Sequence, residues 1–182
     1  MQPIKQLARV LATLSNERQA LFTLADLRSA LPTHRPGALR AVIMRAERDG
    51  LLMRVCRGLY LYPVVGSNDG LLLYHAAARL RASVFNYISL ESALSDAGVI
   101  SQIPINHVTL MSSGRTTTLS CGAFGSIEFV HTKKRPNELA DQLIYDARCH
   151  LWRAPVELAL RDMKAVRRDL DLVQWDAVDD AL

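Results

Sequence analysis

Between Pro36 and Gly50 the apolar residues Leu39, Val42, Ile43 and Ala46 recur at offsets of three and four, a spacing that an α-helix gathers onto one face. Pro36 suits the first position of this helix, because its ring presets φ and the N–H it lacks would find no partner there. The pattern predicts a helix running to about Asp49, with Gly50 as its stop. At about 100° per residue, the centre of the outer face falls on Gly37, Ala41, Met44 and Arg48, flanked by Arg40 and Arg45. A helix that is apolar on one side and cationic on the other needs a small core behind it and a solvent or ligand in front.

The flanking segments supply that core. Ile4, Leu7, Ala8, Leu11 and Leu14 predict a first amphipathic helix that ends near Ser15 or somewhat later, leaving Lys5, Arg9 and Thr13 on its other side. Thr23 can cap a short second helix, with Asp26 three residues on as a capping-box variant, and Leu24 and Leu27 pointing inward. Leu31 to Pro36 reads as a turn. Leu51 to Pro63 reads as two short strands joined at Arg57-Gly58, where Gly58 permits the tight turn. On the second strand Tyr60 and Tyr62 alternate with Leu59 and Leu61, so at least one row is expected in the core. Helix, capped short helix, turn, longer basic helix and hairpin occur in the order that a winged helix-turn-helix requires. The expected fold class is α+β, with a winged helix-turn-helix over residues 1–65 followed by a mixed α/β domain with an antiparallel sheet over residues 66–182.

Charge follows the same division. Residues 1–65 hold ten Lys and Arg against four Asp and Glu, a balance of +6, whereas residues 66–182 hold twelve against fourteen, a balance of −2. Positive charge confined to one module is what a phosphate-facing surface requires, so duplex DNA is the expected partner. Gly37 and Ala41 would let the helix backbone press into a major groove. Arg40 could then reach a guanine edge and Arg48 a phosphate, with Met44 and Arg45 completing the face. Thr33, His34 and Arg35 at the helix entrance are candidates for backbone contacts, and Arg54 and Arg57 place cations at the hairpin beside a neighbouring phosphate strand. The expected target is an inverted repeat upstream of the protein's own gene, bound with salt dependence by one protomer per half-site, as a homodimer on DNA. RNA suits the module less, because the outer helix face carries no aromatic side chain for stacking.

Val64 to Gly70 is rich in turn formers and marks the module boundary. Beyond it the pattern predicts a helix from about Leu71 to Arg81, a strand at Tyr87-Ile88, and a helix from Leu90 to Ala97 capped by Ser89 and terminated by Gly98. Val108 to Met111, Thr116 to Ser120 and Ser126 to His131 alternate like strands and are expected to form an antiparallel meander. Two further strands near Leu143 to Tyr145 and His150 to Arg153 precede a helix opening at Pro155 and a closing one near Trp175. Lys133, Lys134 and Arg135 form a cationic edge after the last strand of the meander, a possible secondary nucleic-acid contact.

The hydrophobic fraction of 49% with 22% charged residues fits a folded domain pair rather than a disordered chain. No apolar run approaches the roughly 18 residues needed to span a bilayer. The opening Met-Gln-Pro-Ile-Lys-Gln has no signal-peptide layout, so the expected location is cytoplasmic. Cys56, Cys121 and Cys149 are far apart and lack zinc-like spacing, and are expected as reduced, buried thiols with no metal. A Gly-x-Ser-x-Gly elbow, a Walker loop, a dinucleotide fingerprint and a His-Glu-x-x-His pair are all missing. Ser89 at a helix start is favoured as a cap over a nucleophile, and no catalytic residue or cofactor is expected.

Tyr87 to Leu94, followed by Val108-Thr109-Leu110 and Gly125 to Phe129, resembles the AbiEi family of type IV antitoxins. Arg57-Gly58-Leu59-Tyr60 with Pro63 is similar to that family's wing, and Ala154 to Leu160 to its proline-led helix. The resemblance implies that the N-terminal module represses the operon encoding antitoxin and toxin. It also implies that the remaining domain counteracts a nucleotidyltransferase-like toxin without needing a stable complex. The alternative is a stand-alone winged-helix transcription factor whose C-terminal domain dimerises or senses a ligand.

Overall fold

A computed structural model describes residues 2–16, 20–65, 70–100 and 106–181, and the chain is an α+β protein. It divides into two compact units, Met1–Leu72 and Leu73–Leu182.

In the first unit the order is α1 (Pro3–Leu14), β1 (Leu21–Thr23), α2 (Leu24–Ala30), α3 (Pro36–Arg48), β2 (Met53–Cys56) and β3 (Leu59–Leu61). The strands form an antiparallel sheet in the order β1-β3-β2. Leu7 and Leu11 of α1, Leu27 of α2, and Leu39, Ile43 and Ala46 of α3 meet in one cluster with Phe22, Tyr60 and Tyr62. Each Leu or Ile fully buried there contributes about 1.5–3 kcal/mol. The start of α2 is a reciprocal capping box. The Asp26 amide donates to Thr23 Oγ1 at 3.2 Å, and the Thr23 amide donates to Asp26 Oδ2 at 2.7 Å. Both rows of the β3 segment are buried, the tyrosines in the helical cluster and Leu59 and Leu61 as well.

Three expectations change in this unit. Leu24 does not point inward but is 38% exposed, because the cap at Thr23 turns the first residue of α2 outward. Leu14 is exposed too, since α1 stops there with Ser15 already extended. The strand β1 was not legible, because its three residues abut the cap and pair only with β3, far along the chain.

The second unit comprises α4 (Leu72–Leu80), β4 (Asn86–Ile88), α5 (Leu90–Asp96), β5 (His107–Ser112), β6 (Thr117–Ser120), β7 (Ser126–His131), α6 (Pro136–Leu139), β8 (Ile144–Asp146), β9 (Leu151–Arg153), α7 (Val156–Ala165) and α8 (Trp175–Ala181). Its described strands form one sheet in the order β6-β7-β5-β4-β9-β8. The sheet is mixed, not the antiparallel meander expected: β5 runs parallel to β7, β4 runs parallel to β9, and β6 pairs antiparallel with β7 at the edge. The cause is the path of the β5–β6 link across the end of β7. There the His131 amide donates to Thr116 Oγ1 at 3.0 Å, and the His131 ring Nδ1 lies 2.9 Å from the Gly114 carbonyl oxygen. That crossing carries β6 to the far side of β7.

Cross-strand pairing aligns Tyr87, Met111 and Val130 on one face of the sheet and Ile88, Leu110 and Phe129 on the other. The first face meets α7 through Tyr87 and α5 through Thr109. On the second, Arg81 after α4 stacks over the Phe129 ring at 4.0 Å. Gly125 stands at φ 117, and a Cβ there would lie 1.9 Å from the Asn106 carbonyl oxygen.

Candidate nucleic-acid interface

The candidate surface is built on α3. With Leu39, Ile43 and Ala46 buried against the cluster, the opposite side is fixed outward, and Gly37, Arg40, Ala41, Met44, Arg45 and Arg48 are all exposed. Met44 is 70% exposed, although it is large and apolar. Gly37 has an open space where a Cβ would lie, with no heavy atom within 4 Å, so neither sterics nor backbone conformation demands glycine there. A glycine inside a helix costs about 1 kcal/mol relative to alanine, and at Gly37 the fold gains nothing visible in return. Arg48 pairs with the adjacent Asp49, Nε to Oδ1 at 3.0 Å, and both side chains are solvent-facing. Such a pair is weak and easily exchanged for a phosphate.

At the entrance to α3, Thr33 and Arg35 are exposed and His34 is half-buried. The His34 Nδ1 atom is buried with no hydrogen-bond partner among the described residues. Arg35 is the N-cap of α3 but makes no side-chain cap, which leaves its guanidinium facing outward. On the hairpin, Arg54 and Arg57 are exposed. The Tyr60 hydroxyl is held above its ordinary value by burial and by Glu47 of α3, against the opposing pull of Arg54. Arg54 lies opposite Tyr60 across the β2–β3 pair. The turn at Arg57-Gly58, with Gly58 at φ 82, is tethered to α2, whose Leu24 amide donates to the Gly58 carbonyl at 2.9 Å. Of the acids in residues 1–65 that the structure describes, Asp26 is engaged in the cap, Glu47 is half-buried and Asp49 is paired with Arg48, so little negative charge faces the α3 ridge.

The Lys133, Lys134 and Arg135 edge is different from what was expected. Lys133 and Arg135 are exposed, but Lys134 turns inward, its Nζ 2.7 Å from Oδ1 of Asp162, a carboxylate that is fully buried on α7. Asp162 also accepts hydrogen bonds from the Tyr87 hydroxyl at 2.9 Å and the Ser89 hydroxyl at 2.8 Å. Burial and the Asp162 charge push the Tyr87 phenol well above its usual range. Ser89 thus stands at the N-cap position of α5, but its hydroxyl makes no side-chain cap. The first-turn amide of Ser92 donates instead to Thr109 Oγ1 at 3.1 Å. The sequence does carry a signal for Asp162: it follows Leu158 and Ala159 on the inward stripe of α7, where a charge must find partners.

Two further ion-pair groups close the distal unit. Arg153 bonds Asp96, and also Asp146 at 3.0 Å, while Arg148 bonds Asp146 at 2.7 Å. Arg148 first, with Arg153, holds the Asp146 carboxyl well below the usual carboxylate range. The Tyr74 hydroxyl donates to Asp96 at 3.1 Å, and burial followed by that charge pushes it up to about 12. Arg168 bonds Glu128 and lies 3.6 Å from Glu91, while His107 lies 3.5 Å from Glu128. Cys56, Cys121 and Cys149 are buried, and burial pushes the Cys149 thiol up. Among the described residues no three His, Cys, Asp or Glu side chains gather as a metal site, and no helix is long and apolar enough to cross a membrane.

No protein-family model and no curated protein matches the chain. Among solved structures it is similar to the RV2827C protein from Mycobacterium tuberculosis, with a TM-score of 0.52 at 17% identity. The match covers 91% of this chain and 53% of that one, so this chain spans about half the length of that protein. At such identity the likeness is one of fold.

Proposed function

We propose that residues 1–65 are a winged helix-turn-helix that binds duplex DNA, and that the chain is a cytoplasmic autorepressor and the antitoxin of an AbiE-like type IV system. The observation that carries the DNA half is the α3 ridge: exposed guanidinium groups and small residues face outward while the opposite stripe is locked in the core. A major groove accepts such a helix, and phosphates on either side accept the arginines. The antitoxin half rests on the sequence resemblance to AbiEi proteins, with a nucleotidyltransferase-like toxin as functional partner and no stable complex required.

Binding of the full chain to its own promoter and to a scrambled duplex tests the reading. Arg40→Ala should weaken promoter binding by about 1–3 kcal/mol and relax sequence preference, whereas Arg48→Ala should weaken both duplexes and reduce the salt slope by about 0.9. Unchanged affinity and salt slope in both variants would refute the assignment. Co-expression with the genomic neighbour, scored by growth, tests the antitoxin half; protection should survive the Arg40→Ala change.

One observation favours the alternative, a stand-alone regulator whose distal unit dimerises. Ile144, Tyr145 and Trp152 are exposed at the β8–β9 edge of the sheet, with the two rings 5.2 Å apart. Sedimentation of wild type against Tyr145→Ser, with toxin co-expression, separates the two: the alternative expects a wild-type dimer that the variant loses and no toxin protection by wild type.

A further inference from the structure

We propose that Met44 is a specificity residue that reads the 5-methyl group of a thymine in the major groove. The inference rests on the DNA-binding reading and deepens it. Every other large apolar side chain of α3 is turned away from solvent: Leu39 and Ile43 are buried, and Val42 packs against the same core. Met44 breaks that pattern at the centre of the opposite face, where 70% of it is exposed. Its helical neighbours on that face are Arg40 and Arg48, four residues to either side, and Ala41, three residues before. Arg45 follows directly.

Charge complementarity selects the occupant. An apolar protein groove that covered Met44 would also have to desolvate the surrounding guanidinium groups, which costs far more than one thioether returns. Duplex DNA meets both needs at once, with phosphates and guanine edges for the arginines and an apolar group for the methionine. In the major groove the base edges are hydrogen-bond donors and acceptors except for the thymine C5-methyl. A thioether offers no useful hydrogen bond to a cytosine N4 amino group, so cytosine at the same position would lose a water partner and gain none. The unbranched Met side chain adapts to the methyl's position, while Gly37 and Ala41 leave the backbone free to approach. Arg40, one turn earlier, addresses the adjacent base step.

The test uses the full chain to enrich a duplex from a randomised pool. Each thymine of that duplex is then replaced singly by deoxyuridine, which removes a methyl group and nothing else, and affinities are read by fluorescence anisotropy. One position per half-site should weaken about four-fold with wild-type protein, the worth of one buried methyl group. In Met44→Ala the thymine and deoxyuridine duplexes should bind equally. Arg48→Ala should bind more weakly overall yet keep the four-fold preference. Because Met44 is exposed, Met44→Ala should retain the wild-type melting curve. Equal binding of every deoxyuridine duplex by wild type overturns the inference while leaving DNA binding intact, as does a thymine preference that persists in Met44→Ala. A pool that yields no enriched duplex overturns the DNA-binding reading itself, and this inference with it.

Discussion

Replacing Lys134 with methionine should destabilise the distal unit by about 2–3 kcal/mol, although lysines in loops are usually silent. Asp162 is fully buried, and its carboxylate is satisfied by Lys134 Nζ at 2.7 Å, the Ser89 hydroxyl at 2.8 Å and the Tyr87 hydroxyl at 2.9 Å. Removing one member of a buried ion pair typically costs about 3–5 kcal/mol, because the remaining charge loses its counter-charge but not its desolvation. The lower figure applies here. The Lys134 side chain is 36% exposed, so water can reach part of the space it leaves, and two hydroxyl donors remain on Asp162. The test is urea unfolding followed by tryptophan fluorescence. Both tryptophans, Trp152 and Trp175, belong to the distal unit, so the signal reports on it directly. Adding Asp162→Asn to Lys134→Met should recover much of the loss, since a neutral amide oxygen still accepts from Tyr87 and Ser89 without an orphaned charge. Lys133→Ala, in contrast, should lie within about 0.5 kcal/mol of wild type. A Lys134→Met protein as stable as wild type, or a double variant less stable than the single, would refute the buried-pair account.

Thr23→Ala should cost about 1 kcal/mol by removing the acceptor for the Asp26 amide, read as lost hydrogen-exchange protection across α2; unchanged protection there would show that the cap contributes nothing. Gly125→Ala should cost on the order of 3 kcal/mol or abolish soluble expression, because the strain at φ 117 adds to a 1.9 Å approach to the Asn106 carbonyl oxygen; a wild-type urea midpoint would contradict it. For Tyr74 the folded value of about 12 exceeds the ordinary 10.0 of an unfolded tyrosine. Its contribution to stability is therefore complete below pH 10 and lost as pH climbs towards 12. Chemical denaturation at stepped alkaline pH should show that decline, with a shallower slope in Tyr74→Phe; parallel slopes would exclude Tyr74 as its source.

What was legible in the sequence was what neighbouring residues settle among themselves. The bounds of α3 follow from Pro36, Gly50 and a stripe at offsets of three and four, and the Thr23–Asp26 box closes over three residues. The turn at Arg57-Gly58 is equally local, as are the openings of α4 and α7. The outward group on α3 was readable for the same reason, since a helix that buries one stripe has no freedom in what it exposes. The side of Leu24 was not, because its orientation depends on the geometry of the cap before it.

Tertiary structure alone decided the rest. Nothing near β5 states that its neighbour is β7 in parallel rather than β6 in a hairpin; that choice is made where His131 meets the Gly114 and Thr116 link. The partner of Ser89 is Asp162, 73 residues away, and that of Lys134 is the same carboxylate at a separation of 28, so neither role can be read from its own surroundings. Caps, turns and helical faces are set by torsions and hydrogen bonds within a few residues. Strand neighbours and buried charge partners are set by which distant segments share one core, and a sequence window shorter than that separation holds no record of the choice.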